Sequence, residues 1–198
     1  MALPGAESHY KMAPEQRIQA LEALNVDRDS MRKAAVLSLF YPDLTGDTNL
    51  LLILRKTYKG VHSNQVGFPG GKEEPEDPDL MYTALRETQE EVGVAPTDIS
   101  VIRPISEIYI PPSNFLVTPF MGFSGKFLKF IPDEVEVEEI LEVRLSALLD
   151  ERNIGSHDYK TSYAGKIAVP VFKLNDFNVW GATAMMLNEV KDIILRAT

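Results

Sequence analysis

The sequence predicts one α/β or α+β domain, and three observations carry that expectation. Apolar runs with strand character stand before, around and after two long helical stretches. The 198 residues suit one domain with a substantial core, and 44% of them are hydrophobic. No internal repeat, low-complexity tract or shift in composition divides the chain. Residues 1–12 read as a draped N-terminus. Pro14, followed by Ile18, Leu21 and Leu24 at helical spacing, predicts a short amphipathic helix over 14–25. The first 30 residues are therefore expected to form an extension packed on a domain of residues 31–198.

Residues 34–41 and 50–55 predict strands joined by a polar loop with Pro42, Gly46 and Asn49. Residues 59–79 are loop-rich. A helix follows over 80–92, with Asp77 as candidate N-cap, Pro78 in the first turn and Gly93 as the stop. Strands are expected at 101–110, 116–123, 135–143 and 167–172, and a helical turn at 146–149. An amphipathic helix over 180–196 ends the pattern. Its Trp180 is expected in the core or at a subunit contact.

Charge and composition exclude several functions. With 20 Lys and Arg against 29 Asp and Glu, the formal charge is -9, which repels nucleic-acid backbones and anionic lipids. A small phosphorylated ligand stays admissible, because a divalent cation reverses the local charge of a site. The absence of Cys removes disulfides, thiolate catalysis and Cys-ligated zinc. No signal peptide or membrane-length apolar run is visible, so a cytoplasmic location is expected.

The chemistry concentrates in the helix over 80–92. Glu87, Glu90 and Glu91 are spaced i, i+3 and i+4 and share an arc of about 100°. Met81, Ala84, Leu85, Thr88 and Val92 form a second stripe that can face the core. Two readings fit the carboxylates. One is a solvated acidic face with an Arg86–Glu90 ion pair. The other is an oxygen-only site for Mg²⁺ or Mn²⁺, whose charge relieves the mutual repulsion. The composite of Phe68-Pro69-Gly70-Gly71, a loop, and Arg86-Glu87-Thr88-Gln89-Glu90-Glu91-Val92-Gly93 favours the second.

That composite resembles the Nudix box, G-x5-E-x7-R-E-U-x-E-E-x-G-U, where U is a bulky aliphatic residue. The resemblance implies the Nudix fold, a mixed β-sheet sandwiched between α-helices, and metal-dependent hydrolysis of a nucleoside diphosphate linked to another group. It places Glu87, Glu90 and Glu91 as metal ligands, with the Gly70 carbonyl as a further ligand and Arg86 orienting the glutamates. Three departures stand out. The interval from Gly71 to Arg86 is one residue longer than in the box. Asp77 or Pro78 stands at the first Glu, and Thr88 replaces an aliphatic residue. Asp77 is read as the substitute, capping the helix and bonding Arg86.

The segments Leu51–Thr57 and His62–Gly71 look like the additional motif of coenzyme A pyrophosphatases, with Asn64 where Gly is usual and Gly60, beside Lys59, where Arg is usual. Pro111–Phe120 is similar to the same group. The resemblance implies cleavage of coenzyme A to adenosine 3′,5′-bisphosphate and 4′-phosphopantetheine, with a homodimer as the family-level expectation. NADH or ADP-ribose hydrolysis and a non-catalytic binding module are the alternatives. A general base could be one of the three glutamates, or Glu136 or Glu139 from the acidic run after Asp133. Arg55, Lys56, Lys59 and Lys72 could meet substrate phosphates, with His62, Gln65 and Gly71 contributing to the same loop. Phe115 or Tyr109 could stack on adenine.

Overall fold

The computed structural model describes residues 2–23, 27–57, 64–161 and 165–197. Its centre is a mixed sheet built on two antiparallel strands, β1 (Arg32–Pro42) and β2 (Thr48–Arg55). β1 also runs parallel to β7 (Phe115–Phe123), in register from Arg32 opposite Phe115 to Phe40 opposite Phe123. Two short strands, β3 (Val66–Gly67) on β2 and β4 (Gly70–Lys72) on β1, lie inside the segment expected to be loop. β5 (Ser100–Pro104) and β6 (Ile108–Ile110) pair in succession with β7. One strand was expected over 101–110. Pro104 has no N–H to continue the ladder, and the chain divides there. β8 (Val137–Arg144) closes the other side against β2.

Both faces of this sheet are covered, which explains why β2 is apolar throughout rather than alternating. Leu50, Leu52 and Leu54 enter one core cluster and Leu51 and Ile53 the other. α3 (Leu80–Val92) packs on the second cluster through Ala84 and Val92. The first cluster is covered by α5 (Gly181–Ala197) and by a small antiparallel sheet of β9 (Ile154–Thr161), β10 (Gly165–Leu174) and β11 (Phe177–Val179). β9 had no apolar alternation to reveal it. A one-turn helix, α4 (Leu145–Leu149), follows β8. Among the described residues no helix is long and apolar enough to cross a membrane.

The N-terminus is not draped. It forms α1 (Ala6–Tyr10), which buries Ser8 and His9, and then α2 (Glu15–Ala23), as the helical spacing predicts. Met12 between them is 1% exposed. α1 is tied to α5: Glu189 accepts from Gly5 N (3.1 Å), Ser106 N (3.2 Å) and Ser106 Oγ (2.6 Å), and lies 2.8 Å from His9 Nε2.

Two expectations about α3 are corrected. Its N-cap is Asp79, whose side chain accepts from Tyr82 N at 2.8 Å; Asp77 does not cap it. The buried stripe is also turned relative to the expectation. Met81 is exposed, whereas Thr83 and Glu91 are buried alongside Ala84, Thr88 and Val92. Gly93 ends the helix in the left-handed conformation (φ 74°), as expected of a C-terminal glycine.

Candidate active site

β4 lays the doubled glycine directly against α3. Gly70 has φ 145°, and a Cβ there would stand 2.3 Å from the Ala35 carbonyl oxygen. Only glycine can occupy that position without moving β1. A Cβ on Gly71 would sit 2.5 Å from the Glu87 carboxylate. The two glycines therefore let backbone and carboxylates approach more closely than any side chain permits.

Beneath them lies Glu91, 1% exposed. Its Oε2 accepts from Gly70 N at 2.8 Å. Its Oε1 is 3.1 Å from Arg55 Nη1 but has no aligned hydrogen bond. Burial pushes the Glu91 carboxyl up to about 7, against the opposing effect of Arg55 and the Gly70 N–H, with Glu87 and Glu136 adding to the rise. Glu87 is shifted upward by the same leading cause, burial, while Arg86 counteracts it and Glu90 and Glu136 reinforce it.

Arg86 organises the outer layer. It forms a two-pronged ion pair with Asp77 (3.0 Å at each oxygen) and donates to Glu87 (3.0 Å), Glu90 (2.9 Å) and the Lys72 carbonyl (3.1 Å). Its bonds hold the Asp77 carboxyl well below the usual carboxylate range. Asp77 thus takes the second of its two expected roles, partner to Arg86. The Arg86–Glu90 pair of the solvated-face reading is present as well, but Glu91 is not on a solvated face.

The structure brings Glu87 and Glu91 against Gly70 and Gly71, and Glu90 joins them through Arg86. Glu136 joins them at the electrostatic range of Glu87 and Glu91. Glu139 does not: it pairs opposite Leu54, whose side chain belongs to the cluster on the far side of the sheet from α3. Arg55 is engaged within the site, donating to the Gly70 carbonyl at 2.6 Å. Lys56 pairs with Glu138 at 3.1 Å. Lys59 and His62 lie outside the described residues. Gln65 and Lys72 line a cleft of about 800 Å³ whose wall includes Arg55, Gly70 and Gly71.

The rest of that cleft comes from elements that spacing did not associate with the site. Met12, Ala13, Gln16 and Arg17 of the N-terminal segment line it, as do Trp180 and, from the first turns of α5, Thr183 and Met186. Trp180 packs against Tyr159, with ring centroids 4.6 Å apart and planes inclined by 34°. Phe115 also lines the cleft, with the Arg32 guanidinium 4.2 Å from its ring centre, whereas Tyr109 bonds Asn114.

In kind, the donors suit a hard divalent cation: they are all oxygens, and one buried carboxylate oxygen of Glu91 has no hydrogen bond. Among the described residues no three acidic or His side chains are drawn tightly enough together to form a coordination set. Arg55 and Arg86 hold the carboxylates instead.

The NUDIX domain model matches residues 31–159. The chain belongs to the Nudix family. The mouse protein "Mitochondrial coenzyme A diphosphatase NUDT8" is 34% identical over 87% of this chain and 83% of its own length. The human protein of that name is 34% identical over 69% of this chain and 59% of its own length. Arabidopsis thaliana "Nudix hydrolase 15, mitochondrial" is 31% identical over 81% of this chain, which spans 58% of that relative. Two crystal structures share the fold at 15% identity. A Nudix hydrolase from M. smegmatis, RenU, has a TM-score of 0.59, covering 85% of this chain and 88% of that one. A C. elegans Ap4A hydrolase has 0.55, covering 84% and 99%. The family assignment and the mixed sheet between helices agree with the expectations from sequence.

Proposed function

We propose that this Nudix hydrolase cleaves the pyrophosphate bond of coenzyme A or an acyl-CoA, giving adenosine 3′,5′-bisphosphate and 4′-phosphopantetheine or its acyl form. The observation that carries the hydrolytic reading is Glu91, a buried carboxylate with one oxygen that has no hydrogen bond beyond its contact with Arg55, set under two glycines beside Glu87. A carboxylate placed this way is costly to ionise until a cation arrives. Glu87, Glu90, Glu91 and the Gly70 carbonyl would hold Mg²⁺ or Mn²⁺. When bound, such a cation neutralises phosphate oxygens and lowers the pKa of a coordinated water.

The protein's own groups do the rest. Gly70 and Gly71 admit the pyrophosphate close to the backbone, and Arg55 and Lys72 supply positive charge along the cleft wall. Arg86 fixes the rotamers of Glu87 and Glu90 through its Asp77 anchor. Glu136, exposed and within electrostatic range of Glu87 and Glu91, is the general base of this proposal, taking the proton of the attacking water.

Support for coenzyme A as substrate comes from the likeness to the two coenzyme A diphosphatases. The test is a panel of coenzyme A, acetyl-CoA, NADH and ADP-ribose with Mg²⁺ or Mn²⁺, read by product chromatography. The highest kcat/KM is expected on a coenzyme A species. Faster turnover of ADP-ribose or NADH would replace that assignment, and no turnover of any nucleotide would favour a binding module.

A further inference from the structure

The proposed substrate carries an anionic group that the Nudix box does not address. Coenzyme A has a phosphate monoester on its ribose as well as the pyrophosphate. Near Gly70, Lys72 is already assigned to the pyrophosphate itself. Arg55 is committed to Glu91 and the Gly70 carbonyl, and Lys56 to Glu138.

Arg17 is different. It stands in α2, half-buried, and lines the same cleft as β4. No carboxylate pairs with it among the described residues, although acids outnumber bases in this chain 29 to 20. Its described bond is a long one, 3.4 Å from Nη2 to the Tyr109 carbonyl. Burial lowers its pKa, with no neighbouring charge contributing to the shift. A partly desolvated guanidinium without an anion is unfavourable in the free protein. Its planar fork is suited to two-pronged phosphate recognition.

The sheet sets the span between the two ends. β4, β1, β7 and β6 are neighbours in that order, with Lys72, Ala34, Val117 and Ile108 in one row. Three interstrand steps make about 14 Å. Tyr109, which holds Arg17, lies next to the end of that row. With a pyrophosphate at Gly70–Lys72, a contact distance at each end leaves roughly the width of one ribose. Tyr159 and Trp180, with ring centroids 4.6 Å apart, line the same cleft and offer it an aromatic wall.

We propose that Arg17 is a specificity-determining residue that binds the phosphate monoester on the nucleoside half of the substrate. The N-terminal segment is then part of the substrate site, and the α1–α5 tether holds it there. This inference rests on the coenzyme A reading, and its test separates the two. Wild type, Arg17→Ala and Arg17→Lys are compared on coenzyme A and 3′-dephospho-coenzyme A. In Arg17→Ala the ratio of kcat/KM for the two substrates should fall by about tenfold or more, through KM, with Arg17→Lys between. An equal loss on both substrates, or no loss, would overturn the proposal.

A second arm needs no turnover. Calorimetry compares adenosine 3′,5′-bisphosphate with adenosine 5′-monophosphate on wild type and Arg17→Ala, alongside thermal melts. Tighter binding of the bisphosphate by wild type, lost in the variant at unchanged melting temperature, supports the role of Arg17 even if coenzyme A proves not to be the substrate. Equal binding of the two nucleotides by wild type sinks it whatever the substrate panel shows.

Discussion

Glu91 and Glu189 are both fully buried glutamates on long helices, and their surroundings are opposite. Glu189 meets two backbone N–H groups, the Ser106 hydroxyl and the His9 ring. Burial alone would raise its carboxyl, but these bonds prevail and bring it below the usual value. Glu91 has one backbone N–H and a misaligned arginine, and its carboxyl rises to about 7. Buried charge is retained where donors are complete and resisted where they are not. The complete set locks two segments together. The incomplete set leaves an oxygen open, which is what the proposed cation site requires.

That contrast has consequences in kinetics and stability. Glu91→Gln removes a ligand candidate while keeping the shape, so turnover should fall by about 10²–10³-fold. Its metal-free stability at neutral pH should be unchanged or higher, read by chemical denaturation in a chelator. Glu189→Ala should do the reverse: it strands several buried donors and should lower stability by about 3 kcal/mol. A Glu91→Gln protein that loses stability comparably while retaining turnover would dissolve the distinction.

The pH dependence separates them by sign. The folded-state pKa of Glu91 is raised from 4.5 to about 7. Between those values the folded chain holds a proton that the unfolded chain has released. The contribution of Glu91 is therefore fully present below about 4.5 and lost as pH rises towards 7. The pKa of Glu189 is depressed, so its contribution is present above the unfolded pKa and is lost as pH falls through the folded one. In chelator, Glu91→Gln should flatten the decline of stability between about pH 4.5 and 7 relative to wild type. A wild-type curve with no such Glu91-dependent decline would contradict the assignment.

The two glycines divide along the same line. A methyl on Gly70 meets backbone, so Gly70→Ala should destabilise the fold and lower the melting temperature. A methyl on Gly71 meets the far end of Glu87 first. Gly71→Ala should keep the melt near wild type and lower turnover by about tenfold, because it displaces a positioned carboxylate. Similar melting losses in both variants would show that the site and the sheet are not separable at β4.

What the sequence made legible follows from local spacing. The i, i+3, i+4 glutamates, the doubled glycine and the C-terminal Gly93 are read along one stretch of chain; the structure lays the glycines against Glu87 and Glu91, and Gly93 ends α3. The apolar runs of β1 and β2 are equally plain because both faces are covered. What stayed hidden depends on distant partners. Glu91 is buried because β4, whose short strands leave no periodicity, lies over it. α1 becomes ordered because Glu189, some 180 residues away, accepts from it. Arg17 enters the cleft by the same packing, and no spacing within residues 1–30 signals it. β9 is a polar strand whose pairing with β10 is the evidence for it.

The smallest effects test how far the site extends beyond the carboxylates. Asp77 and Asp79 sit two residues apart at the start of α3, and Asp77 was the one expected to cap it. Asp79 accepts from Tyr82 N, so Asp79→Ala should cost about 1 kcal/mol of stability with turnover retained. Asp77 instead grips Arg86 with both oxygens and bonds Thr83 Oγ1 at 2.8 Å. Removing it frees Arg86, and with it the rotamers of Glu87 and Glu90. Asp77→Asn keeps the volume and one acceptor, and should lower kcat by several-fold while KM stays near wild type. The two variants should therefore cross, one moving the melt and the other the rate. If Asp77→Asn moves only the melt, the Arg86 network is scaffolding and the glutamates hold their geometry without it.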